Sequence, residues 1–264
     1  MKTQTLLLQK NIMTNISAVI LVKNEEKNIK NCIKGLIKLD EIIVVDDDST
    51  DDTIKRIKSF RNKKIKIFYR SLNCNFAKQR NFAMEKAEND WVLFVDSDEI
   101  VSDKLLSEIL RIVKNNTDTN GYYIKRLDYA WKKKLKYGEA GNIKLIRLGM
   151  KSRGLWKGKV HEKWIIKGKI GVLENEIIHC PHQTVREFIK EINEYSNLRA
   201  RELHESRYSS NVLSIIFYPF TKFTLNYFIK LGFLDGVPGL VYALIMSFHS
   251  FLSRSKLYLY DKKK

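Results

Sequence analysis

Ala87–Val101 reads AENDWVLFVDSDEIV, and the fold depends on how that stretch is parsed. Trp91–Val95 is an unbroken apolar run, which fits a strand buried on both faces in a parallel sheet covered by helices. The run leaves the core at Asp96, Ser97, Asp98 and Glu99. Three carboxylates at one strand end repel each other and lose hydration, so positive charge is needed there. In open α/β sheets, ligands bind outside the carboxyl ends of the strands. Hard carboxylate oxygens suit Mg²⁺ or Mn²⁺, so Asp96 and Asp98 are expected to hold a divalent ion carrying diphosphate oxygens. The alternative is a solvated acidic turn in which Ser97 or Asp98 caps the next helix.

Upstream, the same alternation recurs. Ile16–Val22 (ISAVILV) is a buried strand, followed by Lys23-Asn24-Glu25-Glu26 and a helix with Ile29, Cys32, Ile33, Leu36 and Ile37 at helical spacing. Ile42–Val45 is a second strand ending in Asp46-Asp47-Asp48, with Ser49 or Thr50 as the expected cap of a helix. Lys64–Tyr69 alternates as a third strand. Phe76–Ala87 is a helix offering Phe76, Ala83, Met84 and Ala87 for packing, and a later helix runs from Asp103 to about Val113. Strands alternating with helices predict a doubly wound, mostly parallel sheet with flanking helices, an α/β fold with carboxylates at its second and fourth strand ends.

Downstream the character changes. YYIKRLDYAWKKKLKYG and NIKLIRLG read as strands with basic edges, and Lys157–Lys163 is a loop containing Val160-His161-Glu162. Ile165–Ile178 suggests a hairpin that ends at His179-Cys180-Pro181-His182, and Thr184 caps a long polar helix to about Ser206. From Val212 the segments turn aromatic and aliphatic, with LGFLDGVPGL between two of them.

The 264 residues allow one large domain and an appendage; 44% hydrophobic and 11% aromatic content exclude a disordered chain. The net charge of +18 predicts an anionic partner. Cys32, Cys74 and Cys180 lack paired or CxxC spacing, which fits free thiols in a reducing compartment rather than a disulfide frame or zinc site. The first fifteen residues, MKTQTLLLQKNIMTN, lack the apolar core and cleavage site of a signal peptide; a flexible extension is expected at 1–15, with Met13 an alternative start. The absence of a glycine-rich phosphate loop excludes dehydrogenase and P-loop NTPase readings.

Three blocks in order, VILVKNEEKNI, IIVVDDDSTDDT and AKQRNFAMEKAENDWVLFVDSDE, resemble the family 2 glycosyltransferases of the GT-A fold, over roughly 16–206. AKQRNFA, VHE, HCPHQTVREFIKEINEYS and the GFLDGVPGL tail are similar to the lipopolysaccharide core branch of that family, the β-1,4-glucosyltransferase type. The resemblance implies a Rossmann-like GT-A domain at 16–206 and an inverting transfer of a hexose from a nucleotide-diphosphate sugar, UDP-linked, to a lipid-borne oligosaccharide. It places Asn24, Glu25, Asp46 and Asp47 on the nucleoside. Asp48 stands where the family often has Gly. Arg80 and Asn81 would contact the diphosphate or hold the acidic residues; for Arg80 the alternative is a structural ion pair with Asp96 or a neighbour. Asp96 and Asp98 form the DXD element that binds Mg²⁺ or Mn²⁺. Glu162 is the expected general base, with His161 orienting it or touching phosphate. The alternative for Glu162 is an ion pair with Lys157, Lys159 or Lys163. His179 and His182 are expected to be structural.

Residues 207–264 are expected to form an apolar helical appendage that docks on the inner face of the cytoplasmic membrane without crossing it. Its longest apolar run, Val237–Leu252, falls short of the ~20 residues a span needs. Lys222, Lys230, Arg254, Lys256 and the final three lysines would meet anionic headgroups. The alternatives are packing on the catalytic domain or a homodimer interface. Two rival functions stay open: a basic protein that binds anionic lipid or nucleic acid without catalysis, and an aspartate-dependent phosphohydrolase, whose motif Ile100 breaks. With strand-end acids present, nucleic acid is not expected as a partner.

Overall fold

The computed structural model describes residues 16–73, 75–115, 118–158, 162–181 and 184–262. The readings made above for the N-terminal extension, Cys74, His161, His182 and the last two lysines fall outside these. The chain divides into two compact units, each described by itself: the first reaches Lys125 and resumes over Lys144–Ile178, and the second holds Arg126–Ile143 and His179–Lys264.

The first unit is built on β1 (Ile16–Val22), β2 (Glu41–Asp46), β3 (Ile65–Tyr69) and β4 (Trp91–Asp96), with α1 (Ile29–Leu36), α2 (Thr53–Lys58) and α3 (Phe76–Lys86) as crossovers. After β4 come β5 (Glu99–Ile100), α4 (Asp103–Asn115), β6 (Thr119–Ala130), β7 (Lys133–Leu135), β8 (Lys144–Met150), β9 (Gly154–Lys157), β10 (Lys163–Ile166) and β11 (Lys169–His179). The sheet order is β3-β2-β1-β4-β8-β6-β11-β5. The first four strands are parallel, while β8 joins β4 antiparallel, so the sheet is mixed.

Side-chain alternation sorts the core. Ala18, Ile20, Ile42, Val44, Leu93 and Val95 face α1 and α4 through Ile33 and Leu105. Val19, Ile43, Val45, Val92 and Phe94 point the other way, toward Ala83 and Met84 of α3. Period two in the strands thus lets helices cover both faces.

The structure revises three local expectations. Ser49 and Thr50 do not cap a helix: α2 begins only at Thr53, because their backbone and hydroxyl groups are tied to Asp46 and Asn24 instead. Phe76 is exposed at the start of α3, where Ala77 and Arg80 take the inner face. The expected hairpin at 165–178 does not form. β10 pairs with β9 in a separate ribbon, held against Phe94 by Trp156 and Trp164, and β11 crosses to the main sheet.

In the second unit, Trp131 and Lys132, both at positive φ (49° and 62°), turn β6 into β7. A capping box of Thr184 and Glu187 opens α5 (Val185–Glu205). α6 (Val212–Thr224), opened by Asn211 and Ser214, runs into a π-helical turn, Leu225–Ile229. α7 (Val237–Asp261) packs against both α5 and α6. The junction makes the apolar helical run Val212–Ile229, 18 residues and almost wholly unburied, so one helix does meet the length and composition of a membrane span. In the sequence Thr221 and Lys222 interrupt this run, which leaves Val237–Leu252 as the longest apolar segment.

Candidate active site

Parallel register sets the site. β1 aligns Val22 with Asp46 on one side and Leu21 with Asp96 on the other, so both acidic strand ends flank the carboxyl end of one central strand.

Asp46 is buried; its Oδ2 accepts from the Ser49 amide at 3.1 Å, while Oδ1 has no partner. Asp47 bonds Lys23 at 2.9 Å and the Leu72 amide at 2.7 Å, tying the β2 end to the loop before α3. Asp48 has φ +54°, a left-handed conformation that Asp tolerates. Asn24, also at φ +54°, accepts from the Thr50 amide at 2.8 Å, and its own amide donates to Ser49 Oγ at 2.9 Å. Glu25 accepts from Asn28 Nδ2 at 2.9 Å. Asn24 and Glu25 therefore line the loop facing the end of β2, interlocked with it.

The other half of the site centres on Asp96. Arg147 of β8, 3% exposed, donates from Nη1 to Asp96 Oδ1 at 3.2 Å, from Nη2 to Asp96 Oδ2, and from Nη2 to Glu99 Oε1 at 2.8 Å. Arg80 of α3 donates from Nη2 to Asp96 Oδ1 at 3.1 Å and from Nε to Glu162 Oε1 at 2.8 Å. Its guanidinium lies 4.7 Å from the Trp156 ring centre, a cation–π contact that fixes the head group. Arg80 Nη1 and Arg147 Nε are buried without a partner. Burial alone would raise the Asp96 carboxyl, but Arg147 and then Arg80 outweigh it and hold the group well below the usual carboxylate range.

The positive charge demanded at this strand end is thus supplied first by two arginines. Arg80 was singled out in the sequence; Arg147 was not, although one cation between Ile146 and Leu148 in a strand is its signature. Glu162 meets Arg80; of the lysines considered for it, Lys159 lies outside the described residues. Asn81 is engaged elsewhere, its amide bonded both ways to the Trp156 backbone at 3.0 Å. Asp98 is half-buried just past β4. His161 lies outside the described residues.

Among the described residues no three or more His, Cys, Asp or Glu side chains gather into a metal-holding cluster. Both Asp96 oxygens already accept from guanidinium groups, and Asp98, two residues on and half-buried, is the other carboxylate of the pair. Such a set fits an Mg²⁺-like ion whose remaining ligands come from substrate phosphates, not a self-contained protein cage. Cys32, buried beneath Asp96 and donating to its carbonyl at 3.5 Å, has its thiol pushed well up by burial and is inert.

Acidic strand ends, two buried arginines and a distant glutamate thus meet at the carboxyl ends of the parallel strands. The chain belongs to glycosyl transferase family 2, whose profile matches residues 17–164. Its fold is a mixed sheet with helices on both faces and further helices after it. It is similar, at 30% identity over 92% of each chain, to the lipopolysaccharide core biosynthesis glycosyltransferase LpsC of Rhizobium meliloti (strain 1021). An uncharacterized glycosyltransferase of Rickettsia typhi is 29% identical over 93% of this chain and 87% of that one. Among solved structures, S. aureus TarS 1-349 in complex with UDP-GlcNAc overlaps 94% of this chain and 92% of that chain, with a TM-score of 0.48 at 17% identity.

Proposed function

We propose that the protein is an inverting hexosyltransferase that moves a sugar from a nucleotide-diphosphate donor, UDP-linked, to a lipid-borne oligosaccharide of the lipopolysaccharide core type. The observation that carries this reading is Arg80, whose one guanidinium joins Asp96 of the DXD element to Glu162 of the VHE block.

Asp46 Oδ1, a buried acceptor without a partner, receives an N–H of the base, and Asn24, Glu25 and Asp47 shape the nucleoside pocket. The unpartnered Nη1 of Arg80 would donate to the diphosphate, and His161 of the VHE block would orient Glu162 or touch phosphate. Mg²⁺ or Mn²⁺, held by Asp98 beside Asp96, would supply Lewis-acid stabilisation of charge on the departing diphosphate. Glu162 takes the proton of the acceptor hydroxyl as it attacks the anomeric carbon; the Arg80 contact sets where its carboxylate sits. Asp96, kept ionised by Arg147, holds Arg80 in turn.

The second unit is proposed to lie against the inner face of the cytoplasmic membrane, where a lipid-borne acceptor is presented. By length and composition the apolar run Val212–Ile229 reaches the short end of what the ~30 Å hydrocarbon core needs. Lys222 and Asn226 within it bond Glu139 of the same unit, which favours a helix lying in the interface plane. The non-enzymatic binder and the phosphohydrolase remain as rivals.

A panel of nucleotide sugars, read by thermal stabilisation and by release of sugar, decides among them. UDP-sugar with Mn²⁺ should stabilise the protein and be slowly hydrolysed to sugar, and Asp98→Ala should abolish turnover with the fold intact. Release of inorganic phosphate instead, or no response to any nucleotide, would overturn the reading.

A further inference from the structure

Of the cations that the sequence placed for headgroups, several are engaged inside the second unit. Lys222 pairs with Glu139 at 2.8 Å. Lys256 donates to Asn193 and Ser196, and Arg254 stacks 3.9 Å from the centre of the Tyr218 ring. A cluster of unengaged lysines lies in and just after the β6–β7 hairpin: Lys132, Lys133, Lys134 and Lys136 are all exposed, with no carboxylate at ion-pair distance among the described residues.

That hairpin is fastened to an apolar turn of the same unit. Asp235, 3% exposed, accepts from the amides of Lys136 at 3.2 Å and Tyr137 at 2.9 Å. The Gly138 amide donates to the Lys230 carbonyl at 2.9 Å. At Gly236, φ +67°, an added Cβ would lie 3.4 Å from Lys133 Nζ, so the lysine head rests beside the turn. The turn itself exposes Leu231, Phe233, Leu234 and Val237, the last at 72%.

We infer that this edge, four lysines joined to four exposed apolar side chains, is an insertion tip for an anionic phospholipid bilayer. The apolar side chains enter the boundary between headgroups and acyl chains, and the lysines meet lipid phosphates around them. A nucleic acid would satisfy the lysines yet leave the apolar turn in water. A second copy docking edge to edge would bring like charges together. The inference rests on the membrane-surface reading above and narrows it to one edge, set by Asp235.

The test is co-sedimentation of the full-length protein, at low salt, with phosphatidylcholine vesicles containing about one third phosphatidylglycerol, beside phosphatidylcholine alone. Wild type should bind the mixed vesicles. Lys133→Glu with Lys134→Glu, and separately Leu234→Ser with Val237→Ser, should each weaken binding about tenfold or more while donor hydrolysis and melting temperature stay unchanged. Phe233→Trp, the mildest change, should show emission quenched by brominated phosphatidylcholine in the mixed vesicles. If wild type binds but the tip variants bind equally and Phe233→Trp is unquenched, the tip is wrong and the membrane reading stands. Should wild type ignore the vesicles, the membrane reading and the tip fail together. Binding of duplex RNA through the lysines, or a dimer dispersed by the serine pair, would overturn the tip as well.

Discussion

Arg147 places Nη1 3.2 Å from one oxygen of Asp96 and bonds the other through Nη2, although the two residues lie 51 positions apart on antiparallel neighbouring strands. The antiparallel strand β8 therefore supplies the buried counter-ion for a carboxylate delivered by the parallel half of the sheet. Removing one partner of such a pair costs about 3–5 kcal/mol, because the other charge stays buried. Arg147→Met should lower unfolding stability by that order, measured by urea denaturation, with Arg147→Lys between it and wild type. An Arg147→Met protein as stable as wild type would show that Asp96 and Glu99 do not depend on it.

Arg80 spans two carboxylates only because guanidinium is a planar fork; an ammonium is a point charge. Arg80→Lys should keep the charge yet lose the simultaneous contact with Asp96 and Glu162. Small misplacement of reacting groups costs about a hundredfold in rate, and a fall of that order is expected in transfer, measured by steady-state kinetics, with circular dichroism unchanged. Wild-type kinetics in Arg80→Lys would remove the bridge from the account.

The glycines of GFLDGVPGL allow close packing of backbone on backbone. A Cβ at Gly239 would come within 2.0 Å of the Gly232 carbonyl oxygen, a backbone atom that cannot swing aside. Gly239→Ala should destabilise the second unit by about 1–3 kcal/mol or more, seen as a lower melting temperature. An unchanged melting temperature would contradict the close approach.

Acid sensitivity should trace in part to Glu41. Burial would raise its carboxyl, but bonds from Lys66 and Ser17 outweigh that and hold it below its ordinary 4.5. A carboxylate depressed by folding contributes stability fully above its unfolded value, and that contribution fades as pH falls through the folded one. Glu41→Gln should therefore be less stable than wild type at neutral pH, with the gap closing as pH drops below 4.5 in a urea-unfolding series. A gap that is constant with pH would assign the loss to packing instead.

Much of this was legible in the residues. ISAVILV and WVLFVD are apolar on both faces, and only a sheet covered on both sides can bury them, so the parallel half followed directly. Thr184 and Glu187 spell out a helix start through local chemistry alone. What failed was non-local. The β9–β10 ribbon looks in sequence like half of a longer hairpin, and only packing of Trp156 and Trp164 on Phe94 decides its partner. Ser49 and Thr50 satisfy capping rules, yet Asn24, from a distant loop, takes the Thr50 amide. Arg147 went unassigned because its meaning depends on which strand lies beside β4, and sequence order does not say.

The central claim is that Glu162, held by Arg80 beside the DXD element, accepts the proton of the attacking hydroxyl. Its most direct test is the single-turnover transfer rate of Glu162→Gln, with donor affinity measured alongside by calorimetry. The account predicts a rate lowered about a hundredfold or more and a donor Kd within about twofold of wild type. A wild-type rate, or a donor affinity that falls in step with the rate, would contradict it.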